Sequence, residues 1–109
     1  MTVIREHAEH PTLINVFTVE PERARQLAEL LSTATDEVIK HLDGFISANI
    51  HVSTDGTRVV NYAQWRDAEA FQAMLQNPAA QKHMAEGARL ATAYDPHLYT
   101  VESVHTAEV

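Results

Sequence analysis

Two hydrophobic periods alternate along this chain, and their order restricts the possible folds more than any other feature. From Thr12 to Val19 the pattern repeats every second residue, with Leu13, Asn15, Phe17 and Val19 on one face and Ile14 and Val16 on the other. This period predicts a strand. Pro21 then suits the first turn of a helix, and Ala24, Leu27, Ala28, Leu31, Ala34, Val38 and Leu42 recur at three- and four-residue steps as far as Gly44. Alternation returns over Phe45 to Ser53 and again over Arg58 to Trp65, joined by Thr54-Asp55-Gly56-Thr57, which predicts a hairpin. Asp67 is placed to cap a short helix carrying Phe71, Met74 and Leu75, and Asn77-Pro78 restarts helix through Met84, Ala88 and Ala91. After Asp95-Pro96, the aromatic and β-branched stretch His97 to Val104 predicts a last strand.

The order β-α-β-β-α-β is that of the ferredoxin-like split βαβ, an α+β fold with a four-stranded antiparallel sheet and its helices on one face. A chain of 109 residues buries about two-thirds of its unfolded surface, enough for one core and no second domain. Residues 1–11 are expected to form a mobile arm closed by Pro11, residues 12–105 the domain and residues 106–109 a polar tail. Strict alternation puts Ile14, Val16, Ile46, Ala48, Ile50 and Val52 on the sheet face away from the helices. That is too much apolar surface to leave wet. The expectation is a homodimer joined sheet to sheet, a dimeric α+β barrel.

Charge and missing residue types narrow the function. Eight Lys and Arg against fifteen Asp and Glu leave a net charge of −7 with no basic run. Such a surface lacks the counterion-release term that drives binding to nucleic acid or anionic lipid, so neither is an expected partner. Without cysteine there is no thiolate nucleophile and no thiolate metal or iron–sulfur site. Three glycines, Gly44, Gly56 and Gly87, write neither a GxGxxG fingerprint nor a phosphate loop. No leader-like segment stands out and no apolar run approaches the ~18 residues of a spanning helix, so the expected location is the cytoplasm.

The remaining chemistry rests on a few side chains. Asn61 and Trp65 lie four residues apart on a strand, on the side shared with Val59 and Ala63. Asn15 lies on the Leu13/Phe17 side of the first strand. Asn is depleted from strands, and a buried amide costs ~1–3 kcal/mol unless it is paired. Each Asn has a structural reading, a bond to backbone at a strand end or bulge. Together they outline a polar spot in an apolar pocket. A lone Trp at a strand end is commonly core. His51 lies near the hairpin turn, either as a general base or as a solvated strand residue. Lys82 and His83 are a candidate cation or proton carrier, or simply exposed helix charge. His7 and His10 lie in the arm without metal-ligand spacing, and His41, His97 and His105 fall at element ends. No metal site and no cofactor is expected.

The run His51-Val-Ser-Thr-Asp-Gly-Thr-Arg-Val-Val-Asn-Tyr-Ala-Gln-Trp65, with Leu13-Ile-Asn-Val-Phe-Thr-Val19 before it and Gly44-Phe45 between, resembles the antibiotic biosynthesis monooxygenase family. The resemblance extends over about residues 12 to 104. It is closest to the small enzymes that oxidise anthrone intermediates of aromatic polyketides to quinones with O2, without metal or flavin. Members of that branch are dimers of ferredoxin-like subunits, each with a pocket between sheet and helices. The resemblance implies that Asn15, Asn61 and Trp65 serve oxygenation and that His51 lines the pocket. It also implies substrate contacts at Phe71, where one relative carries a tyrosine, and at Met74 on the same helix. Lys82 or His83 stands nearest to that relative's helical arginine. A haem-degrading branch is the alternative within the superfamily. It matches Asn15 and roughly His83, but has Met74 where its helical Trp is required. A non-catalytic dimer that binds small aromatic molecules is the alternative from another class.

Overall fold

In the computed structural model, which describes residues 1–108, the expected element order is found. The strands are β1 (Thr12–Thr18), β2 (Phe45–Val52), β3 (Arg58–Trp65) and β4 (Ala93–Tyr99). The helices are α1 (Pro21–Glu37), α2 (Ala68–Leu75) and α3 (Pro78–Leu90). They build one four-stranded sheet in the order β2-β3-β1-β4, antiparallel at every pairing. Pro21 starts α1, where its missing N–H is no loss. Asp67 and Asn77 cap α2 and α3 by accepting from the N–H groups of Ala70 and Ala80, at 2.8 and 3.0 Å. No helix among the described residues is long and apolar enough to cross a membrane.

Three local expectations are corrected. The first helix does not run on to Leu42. It ends at Glu37, and Ile39–His41 tighten into a 3₁₀ turn, which still packs Val38, Ile39 and Leu42 against the core. The last strand begins four residues early and contains Pro96 rather than following it. An edge strand has one neighbour and tolerates a proline.

The third correction concerns the sheet faces. A bulge between Phe45 and Ser47 inserts one residue into β2, leaving Ile46 at 41% exposure. Beyond it the side-chain parity is reversed. Ala48 and Ile50 therefore pack into the core under the helices, while Ser47, Asn49 and His51 pair with Gln64, Tyr62 and Val60 on the open face. The apolar residues of that open face are Ile14, Val16, Val60 and Tyr62, not the expected set with Ile46, Ala48, Ile50 and Val52. The N-terminal arm lies against one end of it. Gln64 Nε2 donates to the Val3 carbonyl at 2.7 Å and Asn49 Nδ2 to Thr2 Oγ1. The His7 N–H donates to the Val101 carbonyl at 2.8 Å.

Two loops hold the sheet ends. In the β2–β3 turn the Asp55 carboxylate accepts from the Thr57 N–H and from the Ser53 and Thr57 hydroxyls. These bonds favour the ionised form and hold its pKa at about 2. At the opposite end Arg66 forms a two-pronged pair with Asp43, both contacts 3.0 Å, and a third contact with Asp67 at 3.3 Å. The pairing lowers the Asp43 pKa and raises that of Arg66. This clasp brings Gly44, with φ +85°, against α2 so closely that an added Cβ would collide with the Ala70 methyl. Gly44→Ala is expected to lower the unfolding free energy by about 3 kcal/mol, from the left-handed backbone and the crowding of Ala70. The check is a lower urea midpoint at unchanged slope. An unshifted midpoint would mean that the loop opens freely.

Candidate active site

The apolar interior between sheet and helices is split in two. One cluster gathers Leu13, Ala63 and Trp65 with Ala70, Phe71 and Met74 of α2 and Ala80 of α3, and Met84 packs on it. The other gathers Phe17, Val19 and Val59 with Ala24 and Leu27 of α1, and Leu90 and Ala91 pack on it. On β1 the break falls at Asn15, between Leu13 and Phe17. On β3 it falls at Asn61, between Ala63 and Val59. Asn15 and Asn61 are direct cross-strand partners, which sets their Cβ atoms about 5 Å apart. On α3 the break falls between Met84 and Leu90, and His83 lies before it, between Ala80 and Met84, with its Nδ1 buried.

Among the described residues, three buried side-chain atoms have no hydrogen-bond partner: Asn61 Oδ1, Trp65 Nε1 and His83 Nδ1. An unpaired buried polar group costs ~1–3 kcal/mol, and a domain of this size has only about 5–15 kcal/mol of stability. Carrying three of them is a poor way to build a core. It is the expected cost of a site that offers its polar atoms to something else.

Trp65 and Asn15 are held in place by their surroundings. Trp65 is 1% exposed and meets Phe45 and Phe71 edge to face, with ring centroids 5.6 and 6.2 Å apart. Its indole cannot turn without displacing both rings. It lies four residues from Asn61, about 13 Å along β3. Asn15 is oriented by β4, where the Asp95 N–H donates to Asn15 Oδ1 at 3.2 Å. With its oxygen engaged, the Asn15 carboxamide has its Nδ2 left to donate. Asp95 also holds His97 through its carboxylate at 2.7 Å.

Of the residues singled out from sequence, Asn15, Asn61, Trp65 and His83 border the interior, with Phe71 and Met74 forming the wall around Trp65. His51 and Lys82 do not. His51 is exposed on the opposite sheet face because of the bulge, and Lys82 is exposed on α3. Asp95 was missed, since Asp95-Pro96 reads as a strand break and nothing local reveals a bond across 80 residues. Two open grooves lie elsewhere. One, of about 640 Å³, runs between α1 and the hairpin, and the other, of about 480 Å³, lies beside Arg66 and Glu69. Neither is lined by Asn15, Asn61, Trp65 or His83, and the unpaired polar atoms make the break in the core the better candidate. Among the described residues no group of three or more His, Asp or Glu is placed to hold a metal ion.

A family model described as antibiotic biosynthesis monooxygenase matches residues 12–86. Tetracenomycin-F1 monooxygenase of Streptomyces glaucescens is 50% identical over 72 residues, which is 66% of this chain. The match spans 64% of that relative, a little under two-thirds of its length. Among solved structures, a monooxygenase from the gene ActVA-Orf6 of Streptomyces coelicolor, in complex with the ligand nanaomycin D, matches with a TM-score of 0.80 at 28% identity, covering 90% of this chain and 92% of that one. SnoaB, a cofactor-independent oxygenase from Streptomyces nogalater, matches with a TM-score of 0.78 at 22% identity, covering 89% and 97%. The second likeness speaks for the fold alone.

A site that strains the core makes a prediction opposite to that of a structural amide. Asn61→Val removes an unpaired carboxamide, suits a strand and joins the two clusters. It is expected to raise stability by about 1–2 kcal/mol in urea titration. A loss of stability would show that Asn61 is there to hold the sheet.

Proposed function

The chain belongs to the antibiotic biosynthesis monooxygenase family, and from that premise we propose that it is a cofactor-independent monooxygenase oxidising an anthrone-type aromatic polyketide intermediate to a quinone with O2. The observation that carries this reading is the set of unpaired polar atoms in a narrow apolar interior. A carboxamide oxygen, an indole N–H and an imidazole nitrogen stand among aromatic and aliphatic walls, an arrangement suited to a flat, weakly polar ring system that carries hydroxyl as well as carbonyl groups. The relative that acts, by its name, on tetracenomycin F1 supports the same substrate class.

The chemistry asks little of the protein. Ground-state O2 is a triplet, and a closed-shell molecule reacts with it only by passing electrons singly, which most enzymes arrange with a metal or flavin. A deprotonated anthrone can give the first electron itself. The resulting radical pair joins as a peroxide at the carbon that lost its proton, and loss of water leaves the quinone carbonyl. The site must favour the enolate and exclude bulk water. The Nδ2 groups of Asn15, oriented by the Asp95 N–H, and of Asn61 donate to the developing oxyanion, the Asn61 Oδ1 accepts from a substrate hydroxyl, and the Trp65 indole N–H serves the peroxide. Phe71 and Met74 keep the Trp65 end dry.

Metal-free and flavin-free protein given 1,8-dihydroxyanthrone is expected to consume O2 and form the quinone. Activity that vanishes with chelator and returns with iron would overturn the reading. Asn15→Ala and Asn61→Ala should each slow turnover by about two orders of magnitude, for ~3 kcal/mol of lost oxyanion binding. Together they should cost less than the product of the single effects, because both serve one oxygen.

The enzyme is proposed to act in the cytoplasm as a homodimer. Its support is the open face, where Ile14, Val16, Val60 and Tyr62 share a patch beside the wholly exposed β4 with Tyr99. Sedimentation at micromolar concentration should give twice the 12.2 kDa mass of the chain. A stable species of single mass would refute the dimer.

A further inference from the structure

We propose that His83 is the general base of this reaction, its Nδ1 taking the proton from the methylene carbon of the anthrone. The assignment rests on the monooxygenase reading and goes beyond it by naming the group that starts the chemistry.

The first support is elimination by position. A carbon acid at neutral pH calls for a base whose pKa lies near neutrality, which among ordinary side chains means histidine. The chain has seven. His7 lies in the arm and His105 beyond β4. His10 is bonded to the Arg66 carbonyl at 3.1 Å, His41 to the Asp36 carbonyl at 3.0 Å and His97 to Asp95. His51 is exposed on the wrong side of the sheet. His83 alone puts a ring nitrogen into the interior. The carboxylates are no substitute: no carboxylate oxygen is among the buried unpaired atoms of the described residues, and hydrogen bonds hold Asp43, Asp55 and Asp67 in the ionised form.

The second support is the state of that nitrogen. His83 Nδ1 is buried with no partner, so its lone pair is not used by the fold. The third is placement. Ala80 and Met84 of α3 belong with the Trp65 cluster, and Leu90 and Ala91 with the Phe17 cluster. His83 lies on α3 between Ala80 and Met84 of the Trp65 cluster, with its Nδ1 buried on the helix side of the interior, and Asn61 has its Oδ1 buried on the sheet side. Base and carboxamides thus stand in opposite layers, helix and sheet, and a flat substrate held between the layers would meet the base on one side and the carboxamides on the other.

The steps balance with His83 acting twice. The C–H bond breaks, its proton goes to Nδ1, and its electron pair is delocalised onto the carbonyl oxygen as the enolate. After electron transfer and C–O bond formation, the imidazolium returns that proton to the peroxide oxygen. The neutral ring then takes the second proton from the same carbon as the O–O bond breaks, and the departing hydroxide accepts it as water. One anthrone and one O2 give one quinone and one water. The carbon loses four electrons and O2 gains four.

The test separates proton removal from oxygenation. Mixed with 1,8-dihydroxyanthrone without O2, the wild-type protein is expected to develop the enolate absorbance, and His83→Ala to lose it. In air, His83→Ala should form quinone about a hundred- to ten-thousand-fold more slowly. Added imidazole should restore both signals saturably by filling the space the ring leaves. His83→Asn keeps a polar side chain without a basic nitrogen, and should stay folded by circular dichroism, inactive and unrescued. Wild-type enolate or quinone rates in either variant, or a folded Ala variant that imidazole does not restore, would overturn the role of His83 and leave the monooxygenase reading intact. Absence of quinone formation by the wild-type protein would instead overturn that reading, and this assignment with it.

Discussion

Asn15 and Asn61 face each other across β1 and β3, and the rest of the interior is arranged around that pair. Two carboxamides in the middle of a sheet's buried face prevent the side chains on either side from merging into one core. The apolar residues instead gather as two clusters, one around Trp65 and one around Phe17 and Leu27. The energetic cost is borne by the close packing within each cluster. At the α1–α3 contact there is room for a methyl at Gly87, where an added Cβ would meet Leu27 and Leu30 at 3.6 and 3.9 Å, ordinary van der Waals distances. A domain this small tolerates an unsatisfied site only where its remaining layers are well filled.

The two ends of the site are fixed by different means. Trp65 is set by aromatic packing, with Phe45 from β2 and Phe71 from α2, and the Arg66 clasp ties the next residue to the loop before β2. Asn15 is set by a single backbone N–H on the edge strand. The first anchor is rigid, while the second depends on β4 staying paired. Because β4 is exposed along its whole length, anything that steadied that edge would also steady Asn15.

Family membership and geometry carry different parts of the functional reading. The match over residues 12–86 spans β1 through most of α3, and so includes Asn15, Asn61, Trp65 and His83, but not β4. The role of Asp95 in aiming Asn15 is therefore visible only in the coordinates. Conversely, no distance or burial identifies an anthrone, and the substrate class comes from the kinship.

Much of the architecture was legible in the residues themselves. Periods of two and of three to four residues mark strands and helices, while Pro21, Asp67 and Asn77 mark helix starts, because these signals act through the local backbone. The shared face of Asn61 and Trp65 follows from their spacing alone. What tertiary structure decided is everything that depends on pairing. One extra residue at Ile46 reversed the parity of β2, which moved His51 to the outer face and drew Ala48 and Ile50 inward. Alternation cannot reveal this, since a bulge leaves the hydrophobic pattern on both sides unchanged. Pro96 looked like a boundary and became part of an edge strand, because a ladder's demand for N–H groups depends on its neighbours. The choice of His83 over Lys82 likewise came from how α3 lies on the sheet and on α1. Local preference specified the elements, and long-range register and burial decided which side chains meet.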